Sequence, residues 1–180
     1  MFDAEIRSSL QRLKAIEDRG HELTRWRVNE ILLCSSYYDA FIFEQDGLLT
    51  EQLYGEYSGL NLSFPPHVRH AASPAEAMGS LEERQFDMVI IMPRVGDKTF
   101  AELASDIKSI RPDLPVLLLL NNLSDSTWVE GSGTGVVDDV FLWSGDSKVF
   151  LAMIKSTEDR HNVSHDTSIG NVRVILVVED

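Results

Sequence analysis

The chain has 180 residues, 43% hydrophobic and 25% charged, which fits one soluble domain with a short appendage. Its net charge of −13 argues against a surface built for nucleic acid or anionic lipid. No apolar run reaches membrane-spanning length, the N-terminus is too charged for a secretory signal, and the single cysteine, Cys34, rules out an internal disulfide and fits a reducing cytoplasm.

Residues 2–22 have helical period, with Phe2, Ile6, Leu10, Leu13 and Ile16 on one stripe. VNEILLC (28–34) reads as an apolar strand, and 39–57 as a helix interrupted at Asp46-Gly47. VRHAA (68–72) is a short strand. Ser73-Pro74-Ala75-Glu76 is a capping box with proline at the first helical position, so a helix starts there and runs to about Gln85. DMVIIM (87–92) is a strand, and 99–110 a helix stopped by Arg111-Pro112. VLLLL (116–120) is a strand, followed by a glycine-bearing connection over 121–139 with little helical period. VFLW (140–143) is a strand and 146–160 a helix. HNVSHDTSIGN (161–171) is polar and linker-like, and VRVILVV (172–178) is a last apolar strand.

Five near-continuously apolar strands alternate with helices, so both faces of a parallel sheet are covered. At this size the expected fold is α/β and flavodoxin-like: a doubly wound five-stranded parallel sheet of order 2-1-3-4-5, with an extra N-terminal helix. Ligands of such sheets sit at the carboxyl ends of the strands, which makes the residues just after each strand the informative ones.

The strand spacing, the segment FDMVIIMPR (86–94) with its Met-Pro, and the run RPDLPVLLL (111–119) resemble the response-regulator receiver family over roughly residues 28–160. The resemblance implies an acidic pair after the first strand, a phosphoacceptor aspartate after the third, Ser or Thr after the fourth and Lys-Pro after the fifth, the acids holding Mg²⁺. This sequence departs at each place. The acidic pair is Ser35-Ser36, the phosphoacceptor position is Met92, the Ser/Thr position is Leu120, and Lys-Pro is Trp143-Ser144. Mg²⁺ needs hard oxygen ligands, and phosphoryl transfer needs a nucleophile with cations around the equatorial oxygens. Ser, Ser, Met, Leu and Trp supply neither, so the expectation is a degenerate pseudo-receiver with no catalytic activity and no cofactor.

VRVILVVED ends in Glu179-Asp180, an apolar strand closed by an acidic pair, which resembles the start of a second, working receiver. The expected organisation is an N-terminal helix and lead-in (1–27), a pseudo-receiver (28–160), a linker (161–171) and the first strand of a truncated second receiver (172–180). The alternative for 172–178 is a sixth strand of the same domain. The resemblance also admits an output domain of phosphotransfer type downstream.

Tyr37, Tyr38 and Trp143 lie at or just past strand ends, where large aromatics either plug the space a phosphate would occupy or face outward for docking. Asp87 and Asp97 bracket the loop after the third strand. Asp97 reads as a loop acid capping the helix from 99, and in the rival reading as a displaced phosphoacceptor. Asp138-Asp139 read as a solvated turn, and Glu44, Asp46 and Glu51 as a wet helix face. Of the histidines His21, His67, His70, His161 and His165, His67 and His70 are not at helical metal-ligand spacing and no cysteine or acid cluster accompanies them, so no metal is expected; EGSGTG (130–135) lacks the strand, helix and lysine of a phosphate loop. Cys34 reads as a small core residue. The function expected is docking, with a homodimer or the adjacent receiver as partner. The contact would use the face of the fourth and fifth strands and the helix between them. A small-ligand sensor in the remodelled pocket is the third reading.

Overall fold

The computed structural model describes residues 25–45, 55, 57, 65–121, 134–143, 145, 146 and 148–170. The expected helix over 2–22, the Asp46-Gly47 interruption, most of the 121–139 connection and the final strand lie outside these residues. Two compact units form: Val28–Thr157, and Met1–Arg27 with Glu158–Asp180.

The first unit is built on a sheet of five parallel strands, β1 (Glu30–Cys34), β2 (His67–Ala71), β3 (Met88–Ile91), β6 (Val116–Leu120) and β7 (Asp139–Leu142). Their order is β2-β1-β3-β6-β7. Two very short strands, β4 (Arg94–Val95) and β5 (Lys98–Thr99), form a separate antiparallel hairpin after β3. With that hairpin set aside, the sheet has the expected order 2-1-3-4-5 and the flavodoxin-like fold.

The helices are α1 (Tyr37–Gln45), α2 (Pro74–Glu83), α3 (Phe100–Ile110) and α4 (Lys148–Gly170). Among the described residues no helix is long and apolar enough to cross a membrane. Ser73 caps α2 as its spacing predicts, with its hydroxyl accepting from the Glu76 N–H at 3.2 Å. Thr99 caps α3 through a reciprocal pair with Glu102: the Thr99 hydroxyl accepts from the Glu102 N–H, and the Thr99 N–H donates to the Glu102 carboxylate at 2.9 Å. That backbone hydrogen bond holds the Glu102 carboxyl below its ordinary range.

Alternation in the strands divides the core. Leu32, Cys34, Val89, Ile91, Val116 and Leu118 pack with Ala77 and Leu81 of α2 and Phe100, Leu103 and Ile107 of α3. The intervening residues Ile31, Leu33, Ile90, Leu117 and Leu119 are buried as well, as are Phe150, Met153 and Ile154 of α4. Both sheet faces are therefore covered, which explains why these strands read as unbroken apolar runs.

Three expectations change. First, HNVSHDTSIGN is not an irregular connection: α4 runs without a break through Gly170. The buried stripe of α4 turns polar at Thr157, Glu158 and Asn162, and Asn162 lies beyond the expected end at 160, where hydropathy gives no sign of it. The Thr157 hydroxyl donates to Met153 O at 2.9 Å and Asn162 Nδ2 to Glu158 O at 2.8 Å. In the second unit, Asn162 also holds both backbone groups of Trp26, accepting from its N–H at 2.9 Å and donating to its O at 2.7 Å. The indole of Trp26 stacks on His161 with centroids 3.9 Å apart.

Second, Asp87 is not beside the strand-end loop. It precedes β3 at the opposite end of the sheet, where its carboxylate accepts from the N–H groups of Asn29 at 2.8 Å and Glu30 at 3.0 Å. Third, Asp138 is exposed, as expected of a turn, but it also has a structural role. Its carboxylate accepts from Lys108 Nζ and from the Val116 N–H, both at 2.7 Å, tying α3 to the start of β6.

Candidate functional site at the strand ends

Parallel strands deliver their carboxyl ends to one edge of the sheet. Cys34 lies opposite Ala71 on one side and Ile91 on the other, and Leu120 lies opposite Leu142. The ladder continues past the strands: the Ser35 N–H donates to Ala71 O at 3.2 Å, the Met92 N–H to Cys34 O at 2.9 Å, and the Trp143 N–H to Leu120 O at 2.7 Å. Ser35, Ser36, Met92, Leu120 and Trp143 thus come to the same edge, as their spacing predicts.

The side chains at this edge are committed to one another. Ser35 is fully buried, and its hydroxyl lies 3.0 Å from His70 Nε2. The same nitrogen lies 3.0 Å from the Ser35 carbonyl oxygen. A carbonyl can only accept, so Nε2 carries the hydrogen. His70 is then a donor to this serine and not a base for it. Ser36 is the N-cap of α1. Its hydroxyl accepts from the Asp39 N–H at 3.1 Å and donates to Asp39 Oδ2 at 2.6 Å. The other carboxylate oxygen of Asp39 accepts from Asn121 Nδ2 at 3.2 Å.

Met92 is fully buried and Leu120 nearly so. Trp143 is half-buried and meets Phe150 of α4 edge-on, with ring centroids 5.6 Å apart. Tyr37 and Tyr38 are 73% and 72% exposed, with Phe41 at 53% one turn on, so of the two roles weighed for the tyrosines their exposure fits the outward one. The edge of the Tyr37 ring faces His70 at 6.0 Å.

Asp97 does not cap α3; Thr99 does. Asp97 is an exposed residue in the Gly96-Asp97 turn of the β4–β5 hairpin. Gly96 has φ +60°, and a Cβ there would sit 3.0 Å from Pro74 Cδ, so the turn favours glycine by its backbone conformation and by its tight space. Lys98 pairs with Asp106 of α3, and that hydrogen bond raises its pKa.

Asp39, His70 and Asn121 complete the cluster and were not singled out from the sequence. The Ser36-Tyr37-Tyr38-Asp39 spacing is a capping signature that could have found Asp39. His70 was weighed only as a metal ligand, and Asn121 has no local signal.

The resemblance implies Mg²⁺ at this edge. The donors here are two hydroxyls already in internal bonds, a thioether and an asparagine amide. The Asp39 carboxylate already accepts from Ser36 and Asn121. Among the described residues no three His, Cys, Asp or Glu side chains converge as metal ligands. This set does not fit a hard divalent cation.

No family model and no curated protein matches the chain. Solved structures do. The signal receiver domain of an HD domain-containing protein from Pseudomonas fluorescens aligns at TM-score 0.57 and 17% identity, over 78% of this chain and 94% of its own. A CheY-like response regulator receiver domain from Methanospirillum hungatei aligns at TM-score 0.55 and 18% identity, over 76% and 98%. This is the receiver fold. A protein described as belonging to a family of streptococcal redox sensors evolved from two-component response regulators aligns at TM-score 0.57 and 13% identity, over 83% of this chain and 58% of its own. Identities this low speak to the fold alone, and the receiver fold here carries Ser35, Ser36 and Met92 at the edge where its site would lie.

Proposed function

We propose that this receiver fold is a non-catalytic, cytoplasmic pseudo-receiver of a two-component phosphorelay that acts by protein–protein docking. The observation that carries this reading is the state of the strand-end edge: Met92 is fully buried, and the hydroxyls of Ser35 and Ser36 are spent on internal hydrogen bonds. Among the described residues no nucleophile with a base is presented there, and the donor set does not suit a divalent cation. Titration with Mg²⁺ and beryllofluoride, a phosphoryl mimic, should leave tryptophan fluorescence unchanged, and a small phosphodonor should add no mass. The Glu179→Gln/Asp180→Asn variant, run in parallel, removes the tail acids as a second metal site. A mass gain on Asp97 would replace this reading with that of an atypically phosphorylated switch.

Docking is supported by apolar side chains left in solvent. Val140 and Leu142, each 38% exposed, lie on one face of the edge strand β7. The partner we propose is a second copy or an adjacent receiver in the same chain, bound through the β6–β7 face. Sedimentation velocity should show a dimer that Val140→Lys/Leu142→Lys dissociates. A monomer at high concentration would rule out self-pairing.

A further inference from the structure

We propose that Asn121 is the catch of a side-chain latch that fixes the first turn of α1 against the end of β6, so that the strand-end edge has one conformation set by the chain itself. This rests on the docking reading and adds to it that the strand-end edge, distinct from the proposed β6–β7 docking face, does not switch.

The geometry is a chain of three residues from two distant segments. Ser36 holds the Asp39 carboxylate from one side, through its hydroxyl on Oδ2 at 2.6 Å and by accepting the Asp39 N–H at 3.1 Å. The carboxylate is thereby fixed before Asn121 reaches it, and the Asn121 amide meets Oδ1 at 3.2 Å. Asn121 is the first residue after β6, so the bond spans from the loop after β1, past β3, to the loop after β6. A second tie secures the other side: buried Ser35 is held by His70 at the end of β2. His70 of β2 is tied to Ser35, and Asn121 after β6 is tied through Asp39 to Ser36. The Asn121–Asp39 bond is exposed, so what it contributes comes from its charged acceptor and from the prior fixing of that carboxylate by Ser36. The segment it anchors carries Tyr37, Tyr38 and Phe41, the exposed aromatic residues of α1.

The experiment is hydrogen exchange with mass readout on the full chain and on Asn121→Ala. Amides in peptides covering 35–41 should exchange about tenfold faster in Asn121→Ala, while peptides from α3 keep their protection. The Asn121→Asp variant tests the bond itself. It sets two carboxylates against each other, so at neutral pH it should melt about 2–4 °C below the parent, a drop of the size one such bond implies. Two facing carboxyls can share a proton, so that gap should narrow as the pH is lowered toward 5, whereas the gap for Asn121→Ala should not. Unchanged exchange at 35–41 in Asn121→Ala would overturn the latch, as would a gap for Asn121→Asp that ignores pH. Neither readout involves beryllofluoride or phosphodonor, so failure of the latch is distinct from failure of the docking reading.

Discussion

Met92→Asp is expected to lower the urea midpoint of unfolding by about 2 M and to leave the chain without phosphoacceptor activity. The position is fully buried, and its backbone N–H is already bound to Cys34 O at 2.9 Å. A carboxylate placed there sits at the ends of β1 and β3, with the hydroxyls of Ser35 and Ser36 turned to His70 and Asp39. An uncompensated buried charge costs on the order of 3–5 kcal/mol, which at a slope of about 2 kcal/mol per molar urea gives the shift stated. The sign of its pH dependence follows from burial, which raises the folded-state pKa of the new acid above its unfolded value. The cost is therefore smallest below the unfolded value and grows as pH rises toward the folded one. Urea melts of parent and variant at pH 4.5 and pH 7 test both points. A variant as stable as the parent at pH 7 would mean that the edge can solvate a carboxylate, and the argument against chemistry there would lose its basis.

An acid at position 92 would still lack partners, because the neighbouring side chains are engaged with one another. Ser36 is the N-cap of α1, and Asp39 is bound on both oxygens by Ser36 and Asn121. A hydroxyl at a helix N-cap satisfies a backbone donor that would otherwise lack a partner, so Ser36 stabilises the start of α1.

Much of this fold is written in local patterns. The strands are legible because both faces of the sheet are covered, so VLLLL and MVII carry no polar interruption. Ser73 and Thr99 announce their helices because capping chemistry acts within one turn. The β4–β5 hairpin was missed although Gly96-Asp97 is a hairpin dipeptide; its strands are two residues long, too short to show alternation. The extension of α4 beyond residue 160 carries no hydropathy signal because its buried position there is Asn162, satisfied by hydrogen bonds to Trp26 and to Glu158 O. At the site, strand spacing alone places Ser35, Met92, Leu120 and Trp143 on one edge. What they meet there depends on register: His70 reaches Ser35 only because β2 pairs with β1, with Leu33 opposite His70. Asn121 reaches Asp39 only because β6 lies one strand beyond β3. No local signal carries those pairings.

Cys34 should react with a disulfide reagent roughly a thousandfold more slowly in the native chain than in urea at pH 8. The residue ends β1 in the middle of the sheet, between Ala71 and Ile91, and has no exposed surface. Burial pushes its thiol from 9.0 up to about 12. The reactive species is the thiolate, and at pH 8 a shift of that size alone removes about three powers of ten of it, before any allowance for access. Linkage gives a second readout. The folded state keeps its proton where the unfolded chain has lost it, so the contribution of Cys34 to stability is complete below pH 9.0 and declines as pH rises from there toward 12. Cys34→Ala should flatten that decline while costing some packing in the core shared with Leu32 and Ile91. The slow reaction expected from its burial leaves Cys34 as a core side chain.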